Sequence, residues 1–390
     1  MSKLEPRFRA GVLVEENIYF SHARFNGLFK LDINSMRCSF IKEFCGCEIE
    51  MKDIHVAGTR YGDWIIFLPA MGNCIHLYNY VTDEMRCVKL NRYKNKGEMV
   101  CDAYTFEKKL YVIPHFLSPS ELELPFWEMD LESFEIIERW DVNDDFKRKL
   151  DVSNELCILS TSYFDNSIWF VIHKSDKICR LNLESGETDV YDAHVENICS
   201  ISVDSECIWL SQEDGSIIQW DIQEGIVHKY NNEVGETRGS AVSRVLEAGN
   251  KIISVPAYAE YISVKDEGDL KGDFKAKREL QINIIFKNMV TFGKYINHTD
   301  RYILCPYNVN GLYEMLKKNG EIKYRPFEQQ IYFSDFKVRE SYLNKILAKR
   351  INENQEYKIE DFCQDIMSLS GKEKSNIRED IIGDKIYKVL

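Results

Sequence analysis

The sequence predicts an all-β fold, a seven-bladed β-propeller with a small C-terminal α-helical extension. Two observations carry that prediction. A short apolar run rich in β-branched and aromatic residues recurs seven times, anchored at Tyr19, Ile65, Tyr111, Trp169, Trp209, Ile253 and Ile303, at steps of 40 to 58 residues. About ten residues after most anchors comes a further strand-like run ending in a polar turn. Four strands in a unit of roughly 40–50 residues is the sequence period of a propeller blade. A twisted sheet of that size buries neither face alone, so the units must stack around an axis.

The elements follow in order. Ile18-Tyr19-Phe20 is followed by Gly27-Leu28-Phe29-Lys30-Leu31-Asp32, and Trp64-Ile65-Ile66-Phe67 by Ile75-His76-Leu77-Tyr78-Asn79. Leu110-Tyr111-Val112-Ile113 opens a longer unit, with an insertion at 115–125 and a polar stretch at 142–154. Ile168-Trp169-Phe170-Val171 and Ile208-Trp209-Leu210 each lead into two further strands joined by turns carrying Gly186 and Gly225, the residue type that tight connections favour. Ile252-Ile253-Ser254-Val255 is followed by a charge-rich segment between Val264 and Phe286, read as a solvated excursion. Tyr302-Ile303-Leu304 anchors the last unit. The anchors are read as the inner strand of each blade. Pro69, Pro114, Pro256 and Pro306 stand just past four of them, where a residue without an N–H ends ladder pairing and aims the next loop.

The propeller is assigned to residues 1–334. After that the apolar residues Tyr342, Leu343, Ile346, Leu347 and Ile351, then Ile359, Phe362 and Ile366, fall at helical spacing, so 335–390 is read as a helical extension packing back on the propeller.

The segment from Ser167 to Asp192, SIWFVIHKSDKICRLNLESGETDVYD, resembles a blade of virginiamycin B lyase-type or two-component-sensor propellers. The stretch GSIIQWD, ending on Trp220-Asp221, is similar to the end of a WD40 repeat, though the Gly-His part of that signature is absent. The resemblance covers most of residues 10–330 as architecture. It implies a fold and no activity, because blade grammar is shared by unrelated functions.

Composition narrows the function classes. Fifty Lys and Arg against 63 Asp and Glu leave a net charge of −13, which argues against a nucleic-acid binder. A hydrophobic fraction of 44% excludes disorder. No apolar run approaches the length of a spanning helix, so no membrane insertion is expected. MSKLEPRFRA leads into no apolar segment of the secretory kind, and a cytoplasmic protein is expected. Of the twelve cysteines, Cys38, Cys74, Cys87, Cys101, Cys179, Cys199, Cys207 and Cys305 sit inside apolar runs as small hydrophobes. Cys45 and Cys47 form the one close pair, and no CxxC occurs. The sequence therefore predicts free thiols, no metal site and no cofactor.

In a propeller the b–c and d–a loops gather on one face, so function is sought there. The b–c loops carry His22, Arg24, His115, His173, Glu213, Tyr258, Glu260 and Tyr307. Acidic, basic and aromatic groups around one mouth suit a polar, carbohydrate-like ligand or a loop of a partner protein. A binding or scaffold protein is the first reading. The second is an enzyme of lyase or hydrolase type, metal-assisted or not, with a mouth histidine as base and Arg24 stabilising negative charge. No P-loop, GxGxxG, GxSxG or HExxH is present, and no catalytic residue is assigned.

Overall fold

The apolar runs are continuous where a half-buried strand would alternate, because each blade is covered on both faces. Ile65 packs toward the preceding blade and Ile66 toward the following one. This pattern repeats around the ring, so the core is seven interblade layers. Each side chain fully buried there contributes roughly 1.5–3 kcal/mol. The computed structural model describes residues 8–49, 51–70, 74–90, 100–117, 124–150, 156–173, 175–204, 207–233, 242–257, 261–269, 272–277, 292–306, 311–328, 331–333, 338, 340–342 and 344–345.

Seven antiparallel sheets, each with four strands (a–d) consecutive in sequence, occupy residues 8–42, 55–89, 100–139, 158–192, 198–230, 242–276 and 292–326. The a strands touch one another in a closed cycle, blade 7 meeting blade 1. The predicted anchors prove to be b strands, second from the axis. The a strands contain more Ser, Thr, Gly and Ala because blades crowd together there, and so lack the apolar signature. Ser160 Oγ accepts from the Ile201 amide, and Ser202 Oγ from the Val245 amide, knitting blades 4, 5 and 6 near the axis.

Two devices recur. In blades 1 to 5 the last residue of strand c is Asp or Asn, and its side-chain oxygen accepts two backbone amides of the c–d turn. These residues are Asp32, Asn79, Asp130, Asn182 and Asp221. In all seven blades the a–b pairing slips by a bulge at the start of strand a. The four prolines close their b strands beside that slip, Pro69 opposite His55 and Pro114 opposite Val100.

Two segments differ from their sequence reading. The polar stretch after blade 3 is largely a helix, Trp140–Leu150, which buries Val142, Asn143 and Phe146. Its apolar residues are few, yet Asn143 earns its place by accepting the Phe126 amide and donating to the Leu124 carbonyl. The charged segment after Val264 is only partly solvated. It supplies the outer strand of blade 6, Lys275–Ala276, and buries Phe274 completely.

Beyond blade 7, Ile331–Tyr332 adds a fifth, parallel strand to the outer edge of blade 1. Arg37 lies over the Tyr332 ring at 3.6 Å. In the helical piece that follows, Tyr342 is 2% exposed, its ring centroid 4.5 Å from that of Phe40, and its hydroxyl donates to the Asn26 carbonyl. Gly27 permits this approach, since a Cβ there would stand 2.8 Å from the Tyr342 hydroxyl. Residues 346–390, with the remaining helical stripes, lie outside the described residues.

Candidate binding face and side-chain clusters

The b–c loops do share one face with the d–a connections, and the sequence-predicted residues fall there in three situations. His22 is buried at the end of strand b in blade 1, its ring 5.4 Å from Phe25 and 5.3 Å from Phe29. Its Nδ1 accepts the Arg24 amide at 3.2 Å, while Arg24 itself is half-buried. His115, His173 and Glu213 lie on the loops of blades 3, 4 and 5. Tyr258, Glu260 and Tyr307 lie outside the described residues.

Cys157, on the connection entering blade 4, joins two of these loops. Its Sγ lies 3.2 Å from His115 Nε2, and its carbonyl accepts the His173 amide at 2.8 Å. His115 and Cys157 are both half-buried, whereas His173 is exposed. One blade further round, Glu213 is exposed and its amide donates to the Asn197 carbonyl. The thiol beside His115 was missed in the sequence because 42 residues separate the two.

Beside the axis the a strands assemble a polar cluster that sequence reasoning also missed. The hydroxyls of Tyr104 and Thr161 reach the Asp102 carboxylate at 3.0 and 2.8 Å, and lie 2.8 Å from each other. Arg244 donates to the Ile201 carbonyl at 2.6 Å. Burial, with Asp102 adding to it, holds the Tyr104 hydroxyl well above the ordinary tyrosine range, and the Arg244 charge opposes that shift. The opposite face carries a cavity of about 220 Å³ between blades 4 and 5, lined in part by Phe164, Trp169, Arg180 and Trp220. The Trp220 indole N–H, buried there, has no hydrogen-bond partner.

The third cluster involves residues read as plain hydrophobes. Cys74 and His76 alternate onto one face of strand c in blade 2, and Cys87 stands directly opposite His76 on strand d. The connection from blade 1 brings Cys45 and Cys47 over them. One ligand-capable atom from each of Cys45, His76 and Cys87 lies within 4.8 Å of the others. His76 Nε2 is 3.9 Å from Cys47 Sγ and donates to the Cys45 carbonyl at 2.8 Å. Behind it, His55 Nε2 meets His76 Nδ1 at 2.8 Å. Burial pushes both imidazoles below the ordinary histidine range and the Cys47 and Cys87 thiols up to about 11. None of the eleven described cysteines forms a disulfide. The strand placement of the eight cysteines holds, and two of them, Cys74 and Cys87, lie on the strands c and d of blade 2 that carry this cluster.

No protein-family model matches the chain, and no curated protein does. Among solved structures it is similar to Hsv2 of Kluyvelomyces marxianus, at 10% identity over 85% of this chain and 100% of that one, with a TM-score of 0.51. It is also similar to PorZ of Porphyromonas gingivalis, at 9% identity over 84% of this chain but 39% of that one, with a TM-score of 0.53. Streptogramin B lyase matches at 12% identity over 71% of this chain and 84% of that one, with a TM-score of 0.47. At such identities the likeness is one of fold alone. No helix among the described residues is long and apolar enough to cross a membrane.

Proposed function

We propose that this propeller is a cytoplasmic binding or scaffold protein that takes a polar, carbohydrate-like ligand or a loop of a partner protein on its b–c face. The observation that carries the reading is the convergence of His115 and His173 on Cys157, with exposed Glu213 on the next blade. Loops held by backbone hydrogen bonds to neighbouring connections present these side chains from a rigid scaffold, which lowers the ordering cost of recognition. Arg24 and, outside the described residues, Tyr258, Glu260 and Tyr307 complete the proposed mouth.

A thermal-shift screen against sugars, nucleotides, peptides and metabolites tests this. A ligand at a hundred times its dissociation constant adds about 2.7 kcal/mol of stability. The expected result is a hit whose shift disappears in His115→Ala and shrinks in Arg24→Ala. A hit indifferent to both variants moves the site elsewhere, and the cavity between blades 4 and 5 is the next place to look.

The 3.2 Å approach of Cys157 Sγ to His115 Nε2 favours one second reading, an enzyme of hydrolase or lyase type. A thiol beside an imidazole can act as nucleophile with the histidine as base. Selective alkylation of Cys157 by iodoacetamide, lost in His115→Ala, is the result that supports it. Equal labelling in both proteins removes it.

A further inference from the structure

We propose that Cys45, His76 and Cys87, with a fourth thiolate from Cys47 or Cys74, form a structural zinc site pinning the blade 1–blade 2 connection to the outer hairpin of blade 2. This site is separate from the proposed b–c mouth and does not depend on it.

The geometry is that of a closed thiolate–imidazole centre. Zinc–sulfur and zinc–nitrogen bonds of about 2.3 and 2.0–2.1 Å place tetrahedral ligand atoms roughly 3.6 Å apart. The three central atoms lie within 4.8 Å of one another, so closing on an ion needs adjustment of about an ångström. His76 Nε2 must also exchange its proton and its hydrogen bond to the Cys45 carbonyl for the ion, leaving the ring protonated on Nδ1 toward His55 Nε2. Cys45 is exposed on a connection and can make that adjustment. Gly46, at φ +74° with open space around its Cβ position, turns the chain between Cys45 and Cys47. Soft thiolates with one imidazole select zinc over magnesium or calcium.

The surroundings are built to hold these groups. The Asn26 side chain donates to the carbonyls of Phe44 and Cys47 at 3.0 and 2.9 Å and accepts the Phe44 amide at 2.8 Å, bracketing the cysteine turn. His55 is fully buried, and its Nδ1 has no hydrogen-bond partner. An imidazole is a costly filler on those terms. Its polar contact is with His76 Nδ1, and a group on the far nitrogen is what orients a metal-ligating histidine. The Phe44 ring packs on both imidazoles, at 4.4 Å from His55 and 5.1 Å from His76, and shields the site on that side.

The site is tested on the full chain, purified under reductant after growth with zinc and again after reconstitution. Elemental analysis should find one zinc per chain, and cobalt substitution should give thiolate-to-cobalt charge transfer with the intense visible bands of a tetrahedral centre. Cys45→Ser combined with Cys87→Ser should abolish both, while Cys179→Ser, in a different interblade layer, keeps them. Of Cys47→Ser and Cys74→Ser, the one that weakens the charge-transfer band identifies the fourth ligand; full spectra from both would overturn the closed four-ligand site. His55→Phe acts through His76, so it should retain the stoichiometry but weaken zinc affinity about 10–100-fold. A wild-type protein that binds no zinc, a double variant that retains it, or a disulfide between Cys45 and Cys87 under reductant would each overturn the proposal. Cys45→Ser alone changes an exposed side chain, so loss of zinc in that folded variant guards against misreading a collapsed protein.

Discussion

Blades 4 and 5 and blades 1 and 2 follow the same four-strand plan but fill the seam between blades differently. Between blades 4 and 5 the a strands meet through a serine ladder, with Ser160 and Ser162 accepting the amides of Ile201 and Val203. Between blades 1 and 2 the a strands meet across Gly58, where a Cβ would stand 2.6 Å from a Val12 methyl, and the end of the seam toward the b–c face is occupied by Phe44, His55, Phe67 and His76. The first seam is generic and could join any two blades. The second is specific, because blade 1, the connection, blade 2 and the tail all contribute to one locality through Asn26 and Tyr342.

The contrast can be broken by substitution, beginning with the largest effect. Tyr342→Ala removes a buried ring and its hydrogen bond to Asn26, and should cost about 3–5 kcal/mol in urea unfolding. An unchanged midpoint would detach the tail from the blade 1 seam. Asn26→Leu leaves the Phe44 amide and two carbonyls without their partner. Its expected cost is about 1–3 kcal/mol, with loss of zinc from the cysteine turn as a second readout. On the generic side, Ser162→Ala, which frees the Val203 amide across the blade 4–blade 5 seam, should cost only about 1 kcal/mol; a loss as large as that of Asn26→Leu would erase the distinction between the seams.

The smallest effect concerns pH. Backbone amides donating to Asp32, Asp130 and Asp221 hold these carboxyls below the usual carboxylate range. Their folded pKa values are depressed, so the stability they lend is present above the unfolded value of about 3.9 and is lost as pH falls through the folded one. Blades 2 and 4 already use Asn79 and Asn182 at the same position. The triple change of these aspartates to asparagine should therefore keep the turns and flatten the acid limb of a melting-temperature profile. An unaltered acid limb would place that dependence elsewhere.

The blade plan was legible because it is local. An apolar b strand, a c strand ending in Asp or Asn and a glycine-bearing turn are all written within about 25 residues, and they recur. What was hidden is what the ring assembles across that spacing. Cys45 and Cys87 are read apart as a loop thiol and a strand hydrophobe, and only the pairing of strands c and d with the overlying connection makes them neighbours. His22 looked like a mouth residue by its loop position, yet its ring is packed among Phe25 and Phe29. The helix Trp140–Leu150 escaped notice because it buries a polar residue, Asn143, between its two main apolar ones. The a strands were obscured for the opposite reason, since small side chains serve best where seven sheets crowd one axis.

The bulge repeated at the head of every a strand has one more consequence. At Val56, Cys101, Leu159, Cys199 and Ser243 the chain carries an extra residue that the ladder does not pair, and each is half-buried. These five residues stand at equivalent heights on the b–c face and are of four types, cysteine occurring twice, while the sheets beneath keep one plan. The face thus carries a ring of positions outside the a–b ladder, whose side chains meet loops and neighbouring carbonyls, as Ser243 Oγ does in donating to the Val255 carbonyl, in place of a facing partner on strand b.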